Sequence, residues 1–244
     1  ILCLVYRRTS GAALQRAGLY RQCVSVLLDH WLHTKNLTGP AQDDAHALLR
    51  NIAWRLHHVE GRTDLSIRDE ASLTETAAAL VLRLRDECGI LVTSRPGHCS
   101  FLHLTFQEYF AAVAAYECGQ VAVLVDNFGV PWWREVILLF SELASPDVMQ
   151  VFVAALLDTD ALEHHPDLFA QCLDAAPVFP LPPLLDQVRR ASEIGVIRLR
   201  GLLRLLRDKS DTELRRLCAG LLQHNDRGVV GLAAEISTSA RSIQ

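Results

Sequence analysis

The chain has 244 residues, half of them hydrophobic, and a formal net charge of −4 at pH 7. That length can bury a sizeable core in one large domain or two smaller ones. The acidic balance gives no basis for nonspecific nucleic-acid binding, and no apolar run reaches the roughly 18 residues that span a bilayer.

The chain begins Ile1-Leu2-Cys3-Leu4-Val5-Tyr6, without methionine or a basic n-region. That start reads as a fragment of a longer protein rather than a signal peptide. Residues 1–8 look like the tail of an apolar helix. Leu14, Leu19, Cys23, Val26, Leu27 and Trp31 predict an amphipathic helix over 12–35. Ala45, Leu48, Leu49, Ile52, Trp54 and Leu56 predict a second over 41–59, stopped by Gly61. A short segment around Leu65-Ser66-Ile67 follows, then a helix from about 73 to 88 ended by Gly89.

Residues 90–94 and 99–104 read as the only two strands, joined by the turn Arg95-Pro96-Gly97-His98. Helices followed by a β-hairpin form the winged-helix pattern. A DNA-binding wing would need a basic stripe, and only Arg95 lies on the turn. Next comes Phe101-Leu102-His103-Leu104-Thr105-Phe106-Gln107-Glu108-Tyr109-Phe110-Ala111-Ala112. Thr105 as N-cap with Glu108 three residues on makes a capping box, and Phe106, Tyr109, Phe110 and Val113 form an apolar face. His103 is then held just before a helix N-terminus, where free N–H groups and the dipole favour an anion such as phosphate. Phe106, Tyr109 and Phe110 read as core; Gln107 and Glu108 read as capping and interdomain hydrogen-bonding residues rather than catalytic ones.

Beyond residue 117, Pro131-Trp132-Trp133-Arg134-Glu135-Val136 opens a helix. Further helices are predicted over 146–157, 160–174, 183–192, 194–207, 211–224 and 227–237, with a Pro-rich break at Pro177–Pro183. Short helices joined by short loops, without strands, predict a HEAT-like repeat array. The fold class is therefore mainly α: a winged-helix module with a short β-hairpin, followed by helical repeats.

Other chemistry is sparse. The seven cysteines are scattered and include no C-x-x-C, which reads as reduced, buried thiols in a cytoplasmic protein. The basic residues are 22 Arg and two Lys, Lys35 and Lys209, and neither lysine completes G-x-x-x-x-G-K-[ST]. This chain alone thus has no P-loop route to ATP hydrolysis. His57-His58 and His164-His165 are adjacent pairs that chelate poorly. The spacing of Cys88, His98, Cys99 and His103 matches no zinc pattern. Arg198, Arg200, Arg204 and Arg207 read as a solvated face neutralised by Asp208, Asp211 and Glu213.

The twelve residues Phe101–Ala112 closely resemble the F-x-H-x-T-F-Q-E-Y/F-F-A-A signature of NACHT-domain signalling NTPases, the NLR-like ATPases of bacteria and animals. Leu19-Tyr20-Arg21-Gln22 resembles the helix leading into that family's winged-helix domain, and Trp133-Arg134-Glu135-Val136-Ile137-Leu138 resembles its W-x-E-V-I-x-L segment. The similarity covers roughly residues 1–145.

The resemblance implies that 1–10 ends the NACHT helical subdomain, 11–117 forms the winged helix and the rest begins a sensor array, which the helical pattern and the Pro-rich break divide into a linker or superhelical domain over 118–176 and HEAT-like repeats over 177–244. It implies that His103 contacts the β-phosphate of ADP in the intact protein, with ADP or ATP and Mg bound mainly by an upstream NTPase domain of the same polypeptide. Further expectations are homo-oligomerisation on activation, a sensed protein or nucleic-acid ligand, no membrane contact, and a role in bacterial antiviral defence. The competing expectation is a stand-alone helical scaffold for protein–protein interaction.

Overall fold

The computed structural model describes residues 16–34, 40–66 and 75–238. The expected helical-subdomain tail over residues 1–10 lies outside these residues. The chain divides into two compact units: one through Gln120 together with Glu135–Leu143, the other Val121–Arg134 together with the chain from Ala144 onward.

In the first unit, α1 (Arg16–Thr34) and α2 (Pro40–Trp54) are followed by a π-helical segment, Arg55–Glu60. Gly61 ends it in the left-handed region, with its N–H donated to the Leu56 carbonyl. Strand β1 (Asp64–Ser66), helix α3 (Glu75–Arg83) and a second π-helical segment, Leu84–Cys88, come next. That segment ends at left-handed Gly89, as its sequence led one to expect. Strands β2 (Leu91–Arg95) and β3 (His98–Phe101) make the predicted hairpin, and α4 runs Leu104–Glu117.

The sheet has three strands rather than two, in the order β1-β3-β2 and wholly antiparallel. Leu65 pairs with Cys99, which also faces Thr93, and a bulge follows Thr93. Alternation along β3 buries Cys99 and Phe101. The core beneath is α4 packed on α2, with Phe110, Leu49, Leu56, Leu84 and Ile90 fully buried. Near Phe110 lie Phe101 and Tyr109, with ring centroids at 5.9 and 5.4 Å, distances that suit aromatic pairing. Helix α6 (Arg134–Leu143) adds the buried face Val136, Ile137 and Phe140, and Tyr116 meets Phe140 edge-on.

The second unit is helical among its described residues. It comprises α5 (Val121–Asp126), a 3-10 turn at Pro131–Trp133, α7 (Pro146–Leu157), α8 (Ala161–His164), α9 (Pro166–Ala175), α10 (Leu181–Arg189), α11 (Val196–Leu206), α12 (Thr212–Leu221) and α13 (Arg227–Thr238). Its sequence predicted one helix over 160–174; Pro166 divides that stretch into two, since it has no N–H to continue the ladder from α8. Helix α7 packs on α5, α8 and α10; further along, α11 packs on α8 and α13, and α12 on α10 and α13. Phe152, Phe169, Leu199, Leu202 and Leu214 are fully buried.

Most of the molecule is therefore helix, with one small antiparallel sheet. No helix among the described residues is long and apolar enough to cross a membrane. Cys23, Cys88, Cys99, Cys172 and Cys218 are buried free thiols and Cys118 is an exposed one. Burial pushes the thiols of Cys88 and Cys218 up to about 11, which keeps them protonated and unreactive near neutrality.

Candidate functional site: the head of helix α4

Helix α4 starts two residues earlier than its sequence predicts. The N-cap is His103, in extended conformation, rather than Thr105. Its Nδ1 accepts the Thr105 backbone N–H at 3.3 Å and stands 3.0 Å from the Thr105 hydroxyl. A backbone N–H can only donate, so Nδ1 must carry a lone pair, and in the neutral ring the proton sits on Nε2. His103 is exposed, and Nε2 has no partner among the described residues. The ring therefore presents an N–H donor to solvent beside the helix N-terminus. Leu102 and Leu104 on either side are exposed as well, at 42% and 37%.

The remaining motif residues point the other way, into the unit. Phe101, Phe106, Tyr109 and Phe110 are buried, as expected of core positions. Tyr20 of α1 lies 6.2 Å from Phe106 and 6.1 Å from Tyr109, centroid to centroid. Arg21 hydrogen-bonds Tyr109, opposing the rise that burial imposes on that phenol.

Neither Gln107 nor Glu108 caps the helix, which corrects the capping-box expectation. Gln107 is 1% exposed and donates Nε2 to the Arg62 carbonyl at 3.0 Å. This bond lies within the first unit and ties α4 to the chain entering β1, so it is not an interdomain link. Its Oε1 is buried with no hydrogen-bond partner.

Glu108 is buried beside an acidic group. Arg16 of α1 donates Nη1 to both carboxylate oxygens of Glu135, at 2.8 and 3.1 Å, and Nε to Glu142 at 3.3 Å. The Ala17 N–H donates to the other oxygen of Glu142 at 2.7 Å. Burial, and then the charge of Glu135, push Glu108 up to about 7, with Arg16 pulling in the opposite sense. One guanidinium thus serves three carboxylates, and Glu108 is the least compensated of them. Glu135 and Glu108, from two segments 27 positions apart in sequence, act on one another here. Trp133 is buried, but it belongs to the second unit, so the W-R-E-V segment divides between the two.

The remaining candidates separate. Cys88 is buried with its thiol toward the Leu27 carbonyl, Cys99 sits in the sheet core, and His98 bonds the Pro96 carbonyl. Among the described residues no group of three or more His, Cys, Asp or Glu is arranged to hold a metal ion. Arg95, expected on the turn, is the last residue of β2 and is paired with Asp64 at 2.7 Å, so it is not a free cation.

The arginine run is neutralised only in part by its sequence neighbours: Arg207 lies 3.8 Å from Asp208, but two of the others turn to distant acids. Arg198 binds Glu163 and Arg200 binds Asp226, which lie 35 and 26 positions away. Sequence reasoning missed the Arg16–Glu135–Glu142 clasp because its partners lie more than a hundred residues apart.

No family model, curated protein or solved structure matches the chain.

Proposed function

We propose that this chain is the regulatory part of a NACHT-type signalling NTPase, a winged-helix module followed by a HEAT-like sensor array. The observation that carries the reading is His103: the motif's histidine stands exposed at the head of α4 with an outward Nε2–H. The other aromatic motif residues are consumed in packing. A donor so placed, at the positive end of the helix dipole, suits one oxygen of a diphosphate.

In the intact protein His103 holds the β-phosphate of ADP and so favours a closed resting state. Residues outside this sequence bind the rest of the nucleotide and its Mg, because the P-loop lysine is not here. The helix–hairpin order of the first unit and the successive helix pairs of the second support the same reading. Exchange of ADP for ATP then releases the contact and allows oligomerisation on a sensed protein or nucleic acid. The setting is cytoplasmic signalling in defence.

A hydrogen bond to a charged oxygen contributes about 1.5–3 kcal/mol. In calorimetry on the full polypeptide, His103→Ala therefore lowers ADP affinity roughly tenfold or more and shifts the protein toward self-assembly. Wild-type protein that binds no ADP, or a mutant that binds it equally well, removes His103 from the switch and leaves the helical scaffold as the function.

A further inference from the structure

A second polar feature lies wholly within the helical unit and is independent of the nucleotide reading. A cavity of about 280 Å³ is lined by Gly129, Arg134, His164, His165 and Asp167, with apolar wall from Val130 and Leu168. Its back wall is built with some care. The His165 imidazole stands edge-on to Phe128, with centroids 6.2 Å apart, and lies directly against the backbone of Gly129. A Cβ at that glycine would come within 2.1 Å of the His165 Nε2, and its φ of +90° is one that other residues avoid.

Three polar groups face this space with complementary roles. Arg134 donates to the neutral amide of Gln171 at 2.7 Å and makes no ion pair among the described residues. By contrast Arg189, Arg198 and Arg200 of the same unit are all bonded to carboxylates. Arg134 is thus a cation oriented by an amide, with the Asp167 carboxylate lining the same space. His164 uses Nδ1 on the Asp160 carbonyl at 3.0 Å. That carbonyl must accept, so the neutral ring of His164, a lining residue of the cavity, carries its lone pair on Nε2. Asp167 adds a second acceptor.

We propose that this cavity binds a compact phosphate monoester in its hydrogen-bearing form. The guanidinium fork of Arg134 takes two unprotonated phosphate oxygens, and the P–OH donates to His164 Nε2 or to Asp167. A fully deprotonated oxyanion such as sulfate satisfies the arginine but leaves both acceptors facing negative oxygens. The donor and acceptor set therefore selects for phosphate, and the cavity volume limits the ligand to a small one.

The test uses inorganic phosphate as probe, followed by NMR of the His164 and His165 rings at constant ionic strength. The proposal expects saturable shifts at roughly millimolar phosphate. It expects sulfate to bind several-fold more weakly and Arg134→Gln to weaken phosphate at least tenfold. Arg204→Gln, which alters an exposed arginine of α11 outside the cavity, leaves the titration unchanged. Absence of saturable shifts, equal response to sulfate and phosphate, or an Arg134→Gln titration like wild type would each overturn it. Arg134 is exposed, so its loss leaves the fold intact, which the unchanged far-UV spectrum of the variant would confirm.

Discussion

Glu108 is the residue whose environment departs furthest from what its sequence position suggests. With Thr105 as N-cap it would be a first-turn carboxylate, ordinarily a favourable, solvated charge, but α4 starts at Leu104 and its first turn holds no acid. Here it is 8% exposed and faces Glu135, and its pKa rises from 4.5 to about 7. The folded state therefore holds a proton that the unfolded chain releases. Below pH 4.5 both states are protonated and there is no difference. As pH climbs from there to about 7 the unfolded state ionises first, and stability falls by on the order of 3 kcal/mol. Glu108→Gln keeps the shape without the charge. It should flatten that fall and raise the denaturation midpoint at pH 8, while changing little at pH 4. A variant whose pH profile still matches wild type would show that Glu108 is not the titrating group. The sequence could not disclose this, because the charges that matter, Glu135 and Arg16, arrive from helices far along the chain.

Helix boundaries were the most legible feature of the sequence, since the signals are local. Gly61 and Gly89 stop their helices in the left-handed region, Pro146 opens α7, and Asp211 caps α12 through the Leu214 N–H. The misreadings share one cause, a competitor that local rules do not rank. At α4 the histidine side chain takes the cap that Thr105 would ordinarily hold. Strand β1 is three residues long, and its existence depends on β3, which lies more than thirty residues away.

The local signals also make a signed prediction. A Cβ at Gly89 meets nothing within 4 Å, yet φ is +74°. Gly89→Ala should thus cost about 1 kcal/mol through the backbone alone. Gly220 lies inside α12, has equally open space and no positive φ. Gly220→Ala should instead stabilise by about 0.5–1 kcal/mol. Urea denaturation of the two variants reads both signs, and a stabilising Gly89→Ala would refute the left-handed cap.

Two cores rather than one run through the molecule, and the chain passes between the units within the W-R-E-V segment. Composition allowed one domain or two, and no Pro- or Gly-rich linker marks this division. Long-range packing alone places Glu135–Leu143 with the first unit and Ala144 onward with the second. Each core has its own large aromatic anchor: Phe110, 1% exposed, in the first and Phe169, 0% exposed, in the second. Truncating a buried Phe to Ala costs about 3–5 kcal/mol, and that cost should fall on the unit that loses the ring. Hydrogen exchange can resolve this amide by amide. Phe169→Ala should strip protection from α7, α9 and α11 and leave α2 and the inner part of α4 as slow as in wild type, with Phe110→Ala doing the reverse. If either variant accelerates both sets equally, the two cores unfold as one cooperative block rather than as separate units.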